Sequence, residues 1–286
     1  MPSSTLQLLR FHFSFFLMPV YFFALSQVNH PDWGNAIFVF VVLHLLVYPA
    51  SNGYNSYMDR DEGSIGGIKN PMQPTRQLFF TSVVMDIVAV AISIYISIYF
   101  SVGILLYILA SRAYSYRGIR LKKYPLAGYL TVVIFQGAVT FWLVYHAVHP
   151  MKTLHVPMTG MVASSLLIGG FYPLTQIYQH DADNKDGVRT ISAILGYRGT
   201  FIFTGIVYTF AFVALAYHFL SSMEMSQFGV LQIIMFPVIV YFFMWAAKVW
   251  KNPAAADFRN TMRMNLLASF CANLSFIILL IWRSFE

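Results

Sequence analysis

The chain has 286 residues, a formal net charge of +7, 58% hydrophobic and only 10% charged residues, and a mean hydropathy of +0.63. A water-soluble domain of this size carries roughly a quarter charged residues. The composition therefore excludes an ordinary soluble fold and points to an all-α polytopic membrane protein. The single cysteine, Cys271, excludes an internal disulfide and a cysteine-built metal site.

Nine apolar stretches are long enough to span a bilayer as helices, at about 8–28, 35–54, 78–97, 99–114, 126–147, 157–178, 200–220, 227–247 and 264–283. The first is read as mature sequence and not a signal peptide, since no small-residue cleavage site follows it. The second carries His44, expected to be packed and hydrogen-bonded. It runs into an acidic cluster, Tyr48-Pro49-x-x-Asn52-x-Tyr54-Asn55-x-x-x-Asp59-x-x-Glu62-Gly63, with Asp61 inside it and Lys69 beyond. The third holds Asp86, an intramembrane acid with no evident basic partner. Such a residue is either functional or bonded to a neighbouring helix. After the fourth comes a basic loop, Tyr114 to Gly128, containing Tyr116, Arg117, Arg120, Lys122 and Lys123.

The sixth stretch ends in a second cluster that copies the first at an offset of 124 positions: Tyr172-Pro173-x-x-Gln176-x-Tyr178-Gln179-x-x-x-Asp183-x-x-Asp186-Gly187. Asp181 and His180 lie inside it and Arg189 just beyond. His180 touches an anion, tunes Asp183, or faces water. In the last stretch Asn273 reads as a helix-packing residue.

Of the 18 Lys and Arg residues, only Lys152 and Arg283 fall on the side opposite the others. Positive residues stay in the cytoplasm, so the N-terminus is expected inside and the C-terminus outside, which requires an odd number of spans. The expected location is the bacterial inner membrane. Because the basic charge is mostly topological, nucleic-acid binding is excluded. Both clusters fall at cytoplasmic helix ends separated by four spans. The expectation is thus one domain, 1–286, with parallel repeat halves near 1–125 and 126–286 and a central cavity open near the cytoplasmic face.

Within each copy the polar residues recur at i, i+4 and i+7: Asn55, Asp59 and Glu62, then Gln179, Asp183 and Asp186. On a helix this is one face, and Asn52 and Gln176 extend it a turn deeper. Carboxylates converging in a low-dielectric bundle repel unless a cation joins them. Hard oxygen ligands without His or Cys suit Mg²⁺, which uses a few carboxylates together with substrate phosphate oxygens. Two metals bridging a diphosphate are the economical reading. The plainer one, acids ending helices at water, explains one cluster better than two matching ones. The basic loop has its own plain reading in the positive-inside rule, and a functional one in holding the diphosphate opposite the metals.

These motifs resemble the UbiA superfamily of intramembrane prenyltransferases, which has nine helices, aspartate-rich motifs on helices two and six, and a Tyr- and Lys-containing loop after helix four. Of the family's Asn-Asp-x-x-Asp-x-x-x-Asp, this chain matches the Asn and the central Asp with Asn55 and Asp59, while Ser56 and Gly63 stand where the other two acids would be and Glu62 or Asp61 substitutes for the last. Of its Asp-x-x-x-Asp, Asp183 matches the second place while Gln179 replaces the first acid, with Asp181 and Asp186 as stand-ins, and Gly187-Val188-Arg189-Thr190 follows as in the family. The resemblance implies transfer of an isoprenyl group from an allylic diphosphate to an aromatic or quinone-precursor acceptor, with Mg²⁺. Asp59 and Asp183 are the expected catalytic residues. They are also expected metal ligands, with Asn55, Glu62, Gln179 and Asp186. Asn52, Asp61 and Asp181 are secondary candidates. Lys69, Tyr116, Arg117, Arg120, Lys122, Lys123 and Arg189 are expected around the diphosphate. The partners expected are the prenyl diphosphate, an apolar or aromatic acceptor and the bilayer, with no obligate protein partner. Alternatives are a terpene cyclase of the same superfamily, a divalent-cation transporter, or an inactive membrane scaffold.

Overall fold

The computed structural model describes residues 3–285. Among them the chain is helical apart from turns, loops and one isolated β-bridge between Ile65 and Ile68. The first apolar stretch is not one straight helix. α1 (Ser3–Leu9) gives way to a 3-10 turn at Phe11–Phe16 and then to α2 (Met18–Ser26), with a bend of 41°. The bend falls at Leu17, after an earlier interruption at Arg10, which sits in the left-handed region at φ 49°. Its guanidinium bonds the carbonyls of Gly66 at 3.3 Å and Asn52 at 3.4 Å.

α3 (Trp33–Phe40), a π-helical stretch at Val41–Val47 and α4 (Tyr48–Asp59) form one rod of 27 residues, Trp33–Asp59. Asp32 caps it by accepting from the Asn35 amide. The wide turns lie just before Pro49, which has no N–H to return to the preceding turn. α5 (Arg76–Ser93) and α6 (Ile98–Ser115) follow as a hairpin. α7 (Pro125–Val132) continues through a second π stretch at Val133–Val139 into α8 (Thr140–Val148). At Gly137 in that stretch a Cβ would lie 2.5 Å from the Ser165 Cα, so only glycine permits the approach to α9 (Met158–Gln176). The Ser165 hydroxyl accepts from the Ala138 amide that the widening frees.

α9 passes through a 3-10 turn at Ile177–Gln179 to the short α10 (His180–Lys185). α11 (Ile191–Ser221), kinked at Gly196, α12 (Met225–Lys251) and α13 (Phe258–Arg283) complete the bundle.

Among the described residues, seven helices are long and apolar enough to cross a membrane, or eight if the bent Ser3–Ser26 pair counts as one. The expected nine is not reached by length and composition, because α9 is outside this set. Its glycines, serines and polar C-terminal turn lower its hydropathy. The outward faces carry Val84, Ile87, Ile233 and Phe236, all exposed, as lipid contact requires. The interior packs rings such as Phe23 against Phe141 and Phe276.

Three polar residues inside the bundle find definite places. Asp86 does have a basic partner: Arg112 of α6 pairs with its carboxylate and lies over the Tyr54 ring at 4.0 Å. Helix packing across the α5–α6 hairpin supplies a partner that linear inspection does not reveal. His44 is packed between Phe40 and Tyr48, but neither ring nitrogen is hydrogen-bonded, contrary to expectation. Asn273 donates to the Phe15 carbonyl at 3.3 Å, tying α13 to the first 3-10 turn.

Candidate active site

The regular helix α4 ends at Asp59 because Arg60 adopts the left-handed conformation at φ 55°. Glu62 therefore lies past the helix, exposed, and not on the face of Asn55 and Asp59 that the spacing suggested. The loop beyond doubles back through the Ile65–Ile68 bridge and buries both isoleucines against Leu8, Leu9 and Leu78. Arg10 holds its Gly66 carbonyl. In the second copy regular helix stops at Gln176, and the 3-10 turn and α10 carry the chain onward. One helical face thus fails as a description there too, yet the side chains still converge.

They converge on a cavity of about 230 Å³. Asn52, Asn55, Asp59 and Asp61 line it from the first cluster, and Gln179, Asp183 and Asp186 from the second. The Gln179 Nε2 donates to the Ser64 carbonyl at 3.1 Å, joining the second cluster directly to the loop after the first. Asp181 is exposed and outside the lining.

The basic loop closes the same space from α6. Arg120, at φ 50°, turns the chain into a 3-10 turn at Leu121–Lys123. Lys122 lines the cavity and pairs with the Asp59 carboxylate. Arg120 is buried between the clusters, paired with Asp186 and 3.6 Å from Asp59 Oδ1. Arg117 reaches Asp186 at 3.9 Å and donates to the Met58 carbonyl at 2.7 Å. Tyr116, Lys123, Arg189 and Lys69 are exposed and outside the lining. Gly128 lets this loop lie on α7: a Cβ there would come within 2.9 Å of the Lys122 Cα.

Electrostatics follow from this crowding. Burial pushes the Asp183 carboxyl up to about 7; Lys122 opposes the shift, while Asp61, Asp59 and Asp186 add to it. Burial also raises Asp61, helped by Asp59 and opposed by Lys122 and Arg10. For Arg120, burial works against the charge, but the Asp186 and Asp59 carboxylates outweigh it and hold the pKa above its ordinary value. His180 turns away from the cavity, bonding Ser192 at 2.8 Å and stacking on Tyr197, and burial lowers its pKa.

No group of three or more His, Cys, Asp or Glu among the described residues is arranged to hold a metal alone. The donor set still fits Mg²⁺ brought in with a phosphate. Four carboxylates share one cavity, Asp59 Oδ1 lacks a hydrogen-bond donor, and Mg²⁺ needs only one or two carboxylates when substrate oxygens and water complete its shell.

Several lining residues were missed in the sequence. Arg10 was counted as topological charge, although a cation inside an apolar stretch is itself a signal. Tyr114 and Tyr172 meet hydroxyl to hydroxyl, and the Gln176 Nε2 donates to Tyr172 at 2.9 Å. Deeper, Tyr107 bonds Gln136 beside Phe135. Asn265 enters from α13.

Comparison with known proteins gives a consistent result. The model of the UbiA prenyltransferase family matches residues 15–267. A UbiA homolog from Archaeoglobus fulgidus solved with Cd²⁺ superposes with a TM-score of 0.70 at 17% identity, covering 97% of this chain and 99% of that one. The same homolog bound to DMAPP and Mg²⁺ gives 0.69 at 18% identity with the same coverage. The apo structure of a UbiA homolog from Aeropyrum pernix K1 gives 0.68 at 17% identity, covering 93% of this chain and 97% of that one. No match is found among curated protein sequences.

Proposed function

The chain belongs to the UbiA prenyltransferase family, and from that premise we propose that it is a Mg²⁺-dependent intramembrane prenyltransferase. It would move an isoprenyl group from an allylic diphosphate to an aromatic or quinone-precursor acceptor and release diphosphate. The observation that carries this reading is the single cavity lined by acids of both clusters, by Lys122 and Arg10, and by the aromatic rings of Phe13, Tyr107, Phe135 and Tyr178. An anionic head and an apolar tail are the two ends of such a lining. The archaeal homolog bound to DMAPP and Mg²⁺ supports the same assignment.

Asp59, Asp61, Asp183 and Asp186 would hold the metal together with diphosphate oxygens. When bound, Mg²⁺ supplies charge neutralisation of the leaving diphosphate. Lys122 and Arg10 line the same cavity and would face those oxygens, and Arg120 keeps Asp59 and Asp186 in place. As the allylic carbon–oxygen bond breaks, its electron pair leaves with the diphosphate. The surrounding ring faces shield the allylic cation from water and stabilise it through their π-electrons. A nucleophilic acceptor carbon then forms the new carbon–carbon bond.

Counting α9 as a span gives nine, with the acidic end in the cytoplasm by the positive-inside argument and the C-terminus on the other side. Placement in a bacterial inner membrane, a single domain and the parallel repeat belong to the same proposal. A transporter would place its carboxylates midway along the helices, whereas Asp59 ends α4 beside a basic loop. The deciding experiment incubates membranes holding the protein with Mg²⁺, a panel of prenyl diphosphates and aromatic acceptors, followed by mass analysis of the lipid extract. A prenylated acceptor is expected. A cyclised hydrocarbon without acceptor would make the protein a cyclase, and neither product with no diphosphate released would remove the enzyme reading.

A further inference from the structure

The bundle holds a second cavity, of about 200 Å³, between α11 and α12, and its lining shares no residue with that of the acidic cavity. Gly205, Thr209 and Phe212 of α11 line it opposite Met235, Ile239 and Phe243 of α12, each set spaced as one helix face, and Met264 of α13 closes it from behind. Gly205 keeps the space open: the nearest atom outside its own helix to a Cβ there would be on Phe242, at 4.0 Å. The Thr209 hydroxyl turns back onto the Gly205 carbonyl at 2.9 Å, so it calls for no water. Met235 and Met264 are buried while Phe243 is exposed, so the space is a groove open on the lipid side of the bundle.

Followed toward the basic end of the bundle, both helix faces end on one contact. Arg198 stands seven residues before Gly205, and Trp250 seven after Phe243, so each returns to the face of the groove about 10 Å further along. There the Arg198 Nη2 donates to the Trp250 carbonyl at 2.8 Å and bridges the two helices across the end of the groove. The rest of its exposed guanidinium points a positive charge at the same place. Lys248, Lys251, Arg259 and Arg263 are exposed at this end too, and the acid of the turn between α12 and α13, Asp257, is committed to the Asn260 amide. We propose that this is a site for an anionic phospholipid, with the phosphate on Arg198 and one acyl chain in the groove.

The chemistry selects this occupant. One guanidinium matches the single charge of a phosphodiester. A diphosphate carries more charge, and no carboxylate lines this groove to bring in a metal. The amine of a zwitterionic headgroup would meet the surrounding cations. The headgroup region of each bilayer leaflet is about 5–8 Å thick, so a phosphate at Arg198 sets the first methylenes of a chain beside Gly205. Two methionines adapt their shape to such a chain. The site does not depend on the prenyl-transfer reading; a bound lipid holds α11 against α12.

The test uses the full-length protein in detergent, stripped of lipid, with the thermal midpoint as readout, because a ligand of the folded state raises it. Dioleoyl phosphatidylglycerol is expected to raise the midpoint, saturably, by about 3 °C or more beyond dioleoyl phosphatidylcholine. Glycerol phosphate, a headgroup without chains, is expected to give no shift. Arg198→Gln is expected to remove the difference between the two lipids. So are Gly205→Leu and Thr209→Phe, each of which fills the groove. Lys248→Gln, two residues before Trp250 and so turned away from this face, is expected to keep it. A wild type that does not distinguish the lipids overturns the proposal, as does a difference that survives Arg198→Gln or survives filling of the groove. Where neither filled variant folds, the Arg198→Gln result decides. Loss of the difference in Lys248→Gln, or an equal shift from glycerol phosphate, would assign the effect to general surface charge and overturn the proposal. A dimer that Gly205→Leu dissociates would give the groove to a second copy of the chain, with the same consequence.

Discussion

The Lys122 ammonium meets the Asp59 carboxylate across the mouth of the cavity, although the two lie 63 residues apart. Neither side chain is free to float. Asp59 is the last residue of α4, and Lys122 sits in a 3-10 turn lying on α7. Before substrate arrives, the loop cation therefore neutralises the acid that would hold the metal. With a diphosphate present, the same ammonium is in place for its oxygens.

Replacing Lys122 with Ala should weaken diphosphate binding about tenfold to a hundredfold, the worth of one charge-assisted hydrogen bond. Acceptor binding should change less. Separate titrations with a prenyl thiodiphosphate and with an aromatic acceptor check this; equal losses for both would show a general collapse of the cavity.

Gly128→Ala should act on Lys122 at a distance. The added Cβ would fall 2.9 Å from the Lys122 Cα, which is backbone and cannot rotate aside. The loop must shift, so diphosphate affinity should drop in the direction of the Lys122→Ala variant while the thermal midpoint moves little. Combining the two substitutions should add little beyond either alone, because both act on the same contact.

Arg10 joins the first helix pair to the loop after α4 and to Asn52 through two carbonyls. Arg10→Lys keeps the charge but loses the planar fork that reaches both. Its expected result is a loss of turnover of about tenfold or more, with easier proteolysis of the 60–75 loop. Wild-type turnover and protection in Arg10→Lys would show that charge alone matters there.

The Asp86–Arg112 pair lies away from the cavity and serves the bundle. Removing one partner leaves a charge uncompensated in a low-dielectric setting, at a cost of about 3–5 kcal/mol. Asp86→Leu should therefore lower the melting temperature in detergent more than the double variant Asp86→Leu/Arg112→Met, which removes both charges. A double variant less stable than the single would contradict this.

The all-helical membrane fold and the two acid clusters were legible because composition and a sequence repeat are linear signals. Asp59 and Asp183 could be paired from the repeat for that reason, and both line the one cavity. Glu62 was not readable correctly, since a left-handed Arg60 ends the helix one residue past Asp59 and removes the periodicity that placed Glu62 on its face. The break at Arg10 and the Arg112 partner of Asp86 depend on which helices touch, and no spacing along the chain encodes that. Gln176 was visible as the copy of Asn52, but its bond to Tyr172, and that of Tyr172 to Tyr114, appear only in the folded bundle. Asn265 had no repeat partner or motif to mark it.

The central claim is that Asp59 and Asp183, from separate halves of the chain, grip one metal-bound diphosphate. The most direct test is a titration of prenyl thiodiphosphate into wild type, Asp59→Asn and Asp183→Asn, each with Mg²⁺ and with chelator. The account predicts tight binding by the wild type only when Mg²⁺ is present, and loss of that Mg²⁺-dependent binding in each variant. Undiminished Mg²⁺-dependent affinity in both variants would contradict it.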